Sequence, residues 1–136
     1  MLLGSRSCLS ISGKEYIPAT EKVGETNVVT VDLSPLVGDI WGDCARSYFV
    51  EDGQCVSSPK CASYAEGLAT ELELHELMKS FVRPDTLFSE LYKFGNRHIE
   101  RLGFKNLDFL GNLGHSIEKI SDDRKFIDRE CHVQLE

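Results

Sequence analysis

Apolar residues alternate with polar ones along one stretch of this chain and recur at helical spacing along another, and the change of period organises the sequence. Residues 1–26 show neither pattern. They are rich in Ser, Gly, Lys and Glu with Pro18 among them, and they read as loops with at most one short strand near Leu9–Ser12. From Asn27 to Leu33 the run Asn-Val-Val-Thr-Val-Asp-Leu is dense in β-branched side chains and predicts a buried strand. Ser34 to Asp39 carries Pro35 and Gly38, which is turn chemistry, and Ile40 to Val50 alternates again through Trp41, Tyr48 and Phe49. So short a link between two strands predicts an antiparallel hairpin. Glu51 to Lys60 reads as a loop.

The period then lengthens. Between Cys61 and Val82 the apolar positions Ala65, Leu68, Leu72, Leu77, Met78 and Phe81 predict an amphipathic helix with one packed face. Arg83-Pro84-Asp85 ends it, because the residue before proline is pushed out of the α region. A second helix is predicted from Thr86 to Leu102, striped by Leu87, Leu91, Phe94, Ile99 and Leu102, with Gly103 as its stop. Lys105 to Glu136 mixes short apolar groups with charges and yields no assignment. The expected class is α+β, a hairpin sheet packed with two helices.

Composition narrows the function classes. With 136 residues, 41% hydrophobic and 27% charged, the chain is a globular sequence long enough for one domain with a core. Its net charge of −7 argues against nucleic acid, which needs a basic face, and against adhesion to an anionic membrane. No apolar run approaches the ~20 residues of a membrane span, and Met1-Leu2-Leu3 is too short for a secretory signal core. The five cysteines are odd in number and irregularly spaced, so the expected compartment is the reducing cytoplasm. Cys55 and Cys61 could form half of a zinc site, but no CxxC or histidine pair accompanies them, which favours free thiols.

One feature of the hairpin calls for chemistry. If the turn is centred between Val37 and Gly38, Asp32 and Asp43 are direct cross-strand partners on one face of the sheet. Opposed like charges destabilise such a pair by roughly 0.2–1 kcal/mol when exposed, and aspartate is a poor strand residue. A divalent cation between the carboxylates would reverse that penalty. The alternative is a turn centred elsewhere, with one aspartate simply facing solvent.

The same residues resemble a known pattern. Val31-Asp32-Leu33, a second aspartate eleven positions on, and Asp43-Cys44-Ala45-Arg46-Ser47 resemble the signature of the metallopeptidases with the pita-bread fold. That family includes methionine aminopeptidase, aminopeptidase P, prolidase and creatinase. Gly114-His115-Ser116-Ile117 is similar to its histidine element, and two helices followed by Leu102-Gly103-Phe104 fit the interval between. The likeness spans about residues 10–127 and is nearest the Xaa-Pro branch. It implies a metal-dependent exopeptidase acting on peptides through water activated by two divalent ions, either manganese, cobalt, zinc or iron. The implied metal ligands are Asp32, Asp43 (bridging both ions) and His115.

The pattern also has gaps. The family's two glutamate ligands follow the histidine on strands, whereas Glu118, Glu130 and Glu136 here lack the Glu-Pro-Gly context. Asp122 and Asp123 stand where the family has a second histidine with a glutamate, and Lys14-Glu15-Tyr16 occupy the region of its upstream histidine. The chain is therefore expected to be one truncated catalytic domain over residues 1–136, with a partial pita-bread fold and little activity alone. Its exposed strand edges would invite a homodimer. The alternative is a non-catalytic member of the fold that binds peptides or proteins. Outside the family, a small α+β binding module without metal is the remaining reading.

Overall fold

The chain is an α+β protein in which an antiparallel sheet precedes two helices; the computed structural model describes residues 1–11 and 14–135. It divides into two compact units, Met1–Leu68 and Ala69–Glu136. The strands are Leu2–Leu3 (β1), Asn27–Leu33 (β2), Leu36–Val37 (β3), Ile40–Trp41 (β4), Cys44–Glu51 (β5) and Gln54–Val56 (β6). β1, β2, β5 and β6 lie in that order in one sheet, and β3 with β4 forms a two-stranded extension. The strand expected near Leu9–Ser12 does not form: Leu9–Ile11 is irregular, Ser12 lies outside the described residues, and β1 is the N-terminal strand.

The hairpin forms as expected, in a different register. Asn27 pairs with Val50, Leu33 with Cys44 and Val37 with Ile40, so the turn is centred between Gly38 and Asp39. Gly38 has φ +60°, as the first central residue of a two-residue type II′ connection requires. The ladder thins at Ser34–Pro35 and Gly42–Asp43, where the described strands are interrupted. Proline has no N–H to give, and the Gly42 N–H to Pro35 carbonyl bond (2.9 Å) is what remains there.

Glu51–Lys60 is only partly a loop. Asp52 (φ 52°) and Gly53 (φ 70°) make a tight turn after which β6 pairs back onto β5. This Asp-Gly pair is a strong hairpin signal that the loop reading passed over. Beyond it the Glu51 carboxylate accepts the backbone N–H groups of Lys60 (2.9 Å) and Cys61 (2.7 Å). The Lys60 N–H first, and the Cys61 N–H second, hold the Glu51 pKa below its ordinary value. Folding therefore favours the ionised carboxylate, and the resulting stabilisation is complete above the unfolded group's pKa and lost as pH falls through the folded one. Glu51→Gln is expected to lower the denaturation midpoint at about pH 7 and to lower it by less at about pH 3. Urea titrations of both proteins at the two pH values measure this.

Cys61 lies just before the helix Ala62–Phe81 (α1), its Sγ 3.3 Å from the Ser63 hydroxyl. That hydroxyl, followed by the Tyr64 N–H, lowers the thiol pKa. Ser63→Ala is expected to slow iodoacetamide alkylation of Cys61 several-fold near neutral pH, because the thiolate is the nucleophile. Peptide mapping of the alkylated chain reads it. All five cysteines are free thiols.

The core of the first unit is small: Leu3, Val29 and Phe49 are buried, and the Phe49 and Tyr64 rings lie 5.5 Å apart. The second unit is held by the helix Phe88–Arg101 (α2). Phe88, Leu91 and Gly95 are buried on it, beside Ser89, which is 1% exposed. Its first turn is closed by the tail, whose Val133 and Cys131 carbonyls accept the N–H groups of Phe88 (3.0 Å) and Ser89 (2.8 Å). The Glu90 carboxylate accepts the Leu87 N–H at 3.0 Å, half of a capping box. Gly103 (φ +82°) ends the helix as the sequence predicts.

α1 forms where expected, but its stripe is not a packed face. None of its residues is buried and Leu72 is 57% exposed. Its firmest contact in the second unit is Phe81, whose ring stacks 4.2 Å from Phe94 of α2. Gly95 lets the Leu113 side chain approach α2 closely, since a Cβ at that position would sit 2.6 Å from a Leu113 methyl. Among the described residues no helix is long and apolar enough to cross a membrane.

Candidate functional site

Strand alternation decides which side chains meet on the hairpin. Cross-strand pairs share a face, so one face carries Val28 with Phe49, Thr30 with Ser47, Asp32 with Ala45, then Ser34 opposite Asp43, and Leu36 with Trp41. The other face carries Val29 with Tyr48, Val31 with Arg46, Leu33 with Cys44, and Val37 with Ile40. The first face is a polar strip between an aromatic base and an apolar tip. Along it the Thr30 and Ser47 hydroxyls lie 3.2 Å apart and the Ser34 hydroxyl donates to Asp43 Oδ1 at 3.3 Å.

This arrangement corrects the expected pairing. Asp32 is opposite Ala45, not Asp43, because the turn lies one residue later than the reading placed it. The direct opposition of like charges that would by itself demand a cation is therefore absent. The two aspartates still share a face, since moving the turn by one residue changes each cross-strand partner by two positions, and two positions preserve the face. They are diagonal neighbours, and both are exposed.

Cys44 points to the opposite face as expected but is exposed, not core. Arg46 lies on that same opposite face, and its guanidinium donates to the Ala45 carbonyl at 3.1 Å. Sequence reasoning missed Ser34. Its signal was available: it follows Asp32 by two positions on a strand and so must share its face.

His115 belongs to the second unit. It forms an isolated antiparallel bridge with Phe126, and the two rings meet edge to face at 5.6 Å. Around it Leu113 N–H bonds the Ile127 carbonyl, Ile127 N–H bonds the Gly114 carbonyl, and Ser116 N–H bonds the Lys125 carbonyl. Gly114 carries the bend at φ +135°. His115 Nδ1 is 3.0 Å from the Ser116 carbonyl, to which only an N–H can donate. That bond selects the tautomer with the acceptor lone pair on Nε2.

Each unit by itself offers donor types that divalent cations take. Two carboxylates on one face offer hard oxygen ligands, and a histidine whose second nitrogen is engaged by a backbone carbonyl has the usual form of an imidazole ligand. Among the described residues, no three His, Cys, Asp or Glu side chains are gathered into a group that could hold a metal ion. Of the acidic residues that follow His115, the Glu118 carboxylate accepts from the Ser116 hydroxyl at 2.7 Å, Asp122 and Asp123 lie in a 3₁₀ turn, and Glu136 is outside the described residues.

Comparison with known proteins gives the larger frame. No curated protein matches the chain. The model of metallopeptidase family M24, whose members typically bind divalent metals, matches residues 4–136, a stretch that includes both aspartates, the arginine after them and the glycine–histidine element. Membership implies the pita-bread fold, and the antiparallel sheet followed by two helices is consistent with it. A match over nearly the whole chain, with the carboxylates on one face of a hairpin, places this protein in metallopeptidase family M24.

Proposed function

We propose that this chain supplies metal-binding residues of an exopeptidase of the Xaa-Pro dipeptidase or aminopeptidase type, with Asp32, Asp43 and His115 as ligands. The observation that carries the reading is the shared hairpin face of Asp32 and Asp43 in a member of metallopeptidase family M24. Asp32 and Asp43 would supply carboxylate oxygens, and His115 would supply an imidazole nitrogen through Nε2. Two bound cations, of manganese, cobalt, zinc or iron, would lower the pKa of a water held between them and polarise the peptide carbonyl. The chain's own residues hold the ligands: the strand pairing sets the carboxylates on one face, and the Ser116 carbonyl keeps the imidazole in one tautomer. Free thiols throughout support a cytoplasmic setting.

A second reading is favoured by specific positions. Asp122 and Asp123 replace the histidine–glutamate pair, and Lys14-Glu15-Tyr16 replace the upstream histidine, of the pattern the sequence resembles. In the pattern the sequence resembles, the histidine–glutamate pair orients substrate, so its replacement supports a non-catalytic member that binds peptides or partner proteins. The first reading is tested by calorimetric titration with manganese or zinc, using Asp43→Ala as control. Heat of binding in the wild-type chain that is lost in the variant supports the metal site. Equal binding by the two proteins shows that the ligands are assigned wrongly.

A further inference from the structure

β5 is eight residues long, and β6 covers only three of them on its outer side. We propose that the uncovered edge of β5, from Cys44 to Tyr48, is a pairing surface for a second copy of this chain, and that Arg46 holds it closed. The proposal is independent of the metal-site reading above.

Ladder geometry decides which groups face that edge. The Gly42 N–H to Pro35 carbonyl bond marks Pro35–Gly42 as a hydrogen-bonded pair, and such pairs alternate along an antiparallel ladder. One register holds on both sides of the interruption, so Cys44 with Leu33, Arg46 with Val31 and Tyr48 with Val29 are hydrogen-bonded pairs too. The backbone N–H and C=O groups of Ala45 and Ser47 therefore point away from β2. On that side β6 pairs with Phe49, Val50 and Glu51 and stops at Val56. The chain then leaves the edge for Pro59, which is buried, and Lys60, whose N–H is bound by the Glu51 carboxylate. Among the described residues no strand or isolated bridge pairs the outer side of Cys44–Tyr48, and these residues are all exposed.

A row of outward strand groups is a template for another strand. The occupant that fits is β5 of a second copy, run antiparallel about a two-fold axis through Arg46. The window is self-complementary there. Ala45 of each copy faces Ser47 of the other as a hydrogen-bonded pair, so the outward groups of both residues are satisfied together. Their side chains are small and share one face, which lets the strands approach.

Arg46 opposes this pairing in two ways. Its guanidinium donates to the Ala45 carbonyl at 3.1 Å, occupying the acceptor that an incoming strand must use. On the axis it would also stand directly opposite its own copy, and like charges so placed destabilise a pair. Charged side chains are a common protection of open sheet edges.

The test is sedimentation equilibrium of the full chain as wild type, Arg46→Ala and Arg46→Ala/Ser47→Pro. Reducing conditions keep exposed thiols such as Cys44 from crosslinking copies. Arg46→Ala is expected to dimerise at least about tenfold more tightly than wild type, since two carbonyls are released and one like-charge contact is removed. Adding Ser47→Pro is expected to restore the monomer. The Ser47 N–H points outward, so proline there spares the β2–β5 ladder but cannot donate to an incoming strand. Independently of that variant, hydrogen exchange of Arg46→Ala is expected to show the Ala45 and Ser47 amides protected only at concentrations where the dimer forms. Equal association of wild type and Arg46→Ala overturns the role of Arg46, and an Arg46→Ala chain that stays monomeric overturns the surface as well. A dimer that survives Ser47→Pro, or one whose Ala45 and Ser47 amides exchange as in the monomer, also overturns the surface.

Discussion

Replacing Asp43 with alanine is expected to weaken manganese binding by at least about 100-fold, a larger loss than follows from removing a group that only hydrogen-bonds a ligand. Asp43 is the residue to test first because it would bridge both ions, so its loss removes a ligand from each. Asp32→Ala should weaken binding as well. His115→Ala should follow the same direction, and His115→Gln should not rescue it, since an amide lacks the imidazole nitrogen held by the Ser116 carbonyl bond. The removal of Asp43 should not unfold the chain. It is exposed and lies outside the regular strands, and surface substitutions of that kind usually change stability by less than about 0.5 kcal/mol. Circular dichroism of the variant separates loss of a ligand from loss of the fold.

Phe88→Ala is expected to destabilise the second unit by about 3–5 kcal/mol, a large part of the roughly 5–15 kcal/mol that holds a typical domain together. Phe88 is 5% exposed, and its backbone N–H is bonded to the Val133 carbonyl, so the ring is anchored where the tail meets α2. Truncation leaves a cavity between elements already fixed by backbone hydrogen bonds, which limits how far they can collapse to fill it. Urea unfolding followed by far-ultraviolet circular dichroism should show a lower midpoint with an unchanged slope. Leu72→Ala is the matched control on α1. Leu72 is 57% exposed, and its loss should cost under about 0.5 kcal/mol. Comparable losses from the two substitutions would place the core elsewhere than on the first turn of α2.

The contrast between those two leucine- and phenylalanine-bearing helices shows where reading the sequence succeeded and where it did not. Both helices formed close to their expected limits, because proline at 84 and glycine at 103 end helices for local steric reasons. Which apolar positions were buried was not local. Leu91 of the expected stripe is buried, but so are Phe88, Ser89 and Gly95, which lay outside it. The tail, left unassigned, covers them, and no periodicity of α2 could announce a partner that arrives from Cys131–Leu135.

The hairpin carries the same division into the candidate site. That a strand, a short turn and a second strand occur between Asn27 and Glu51 was legible from β-branched residues and turn chemistry. That Asp32 and Asp43 share a face was legible too, and it survived an error in the turn, because faces repeat every second residue. The partner of each aspartate was not. Gly38 can sit at either of two places in a tight turn, and only the closed ladder chose Gly38-Asp39 as the central pair, setting Ala45 opposite Asp32 and Ser34 opposite Asp43. The sequence by itself determined the hairpin, the two helices, the shared carboxylate face and the family pattern, since these follow from local sterics, a two-residue period and residue spacing. The tertiary structure decided register, burial and the company each ligand keeps, since these depend on pairings between residues far apart in the chain that no local rule encodes.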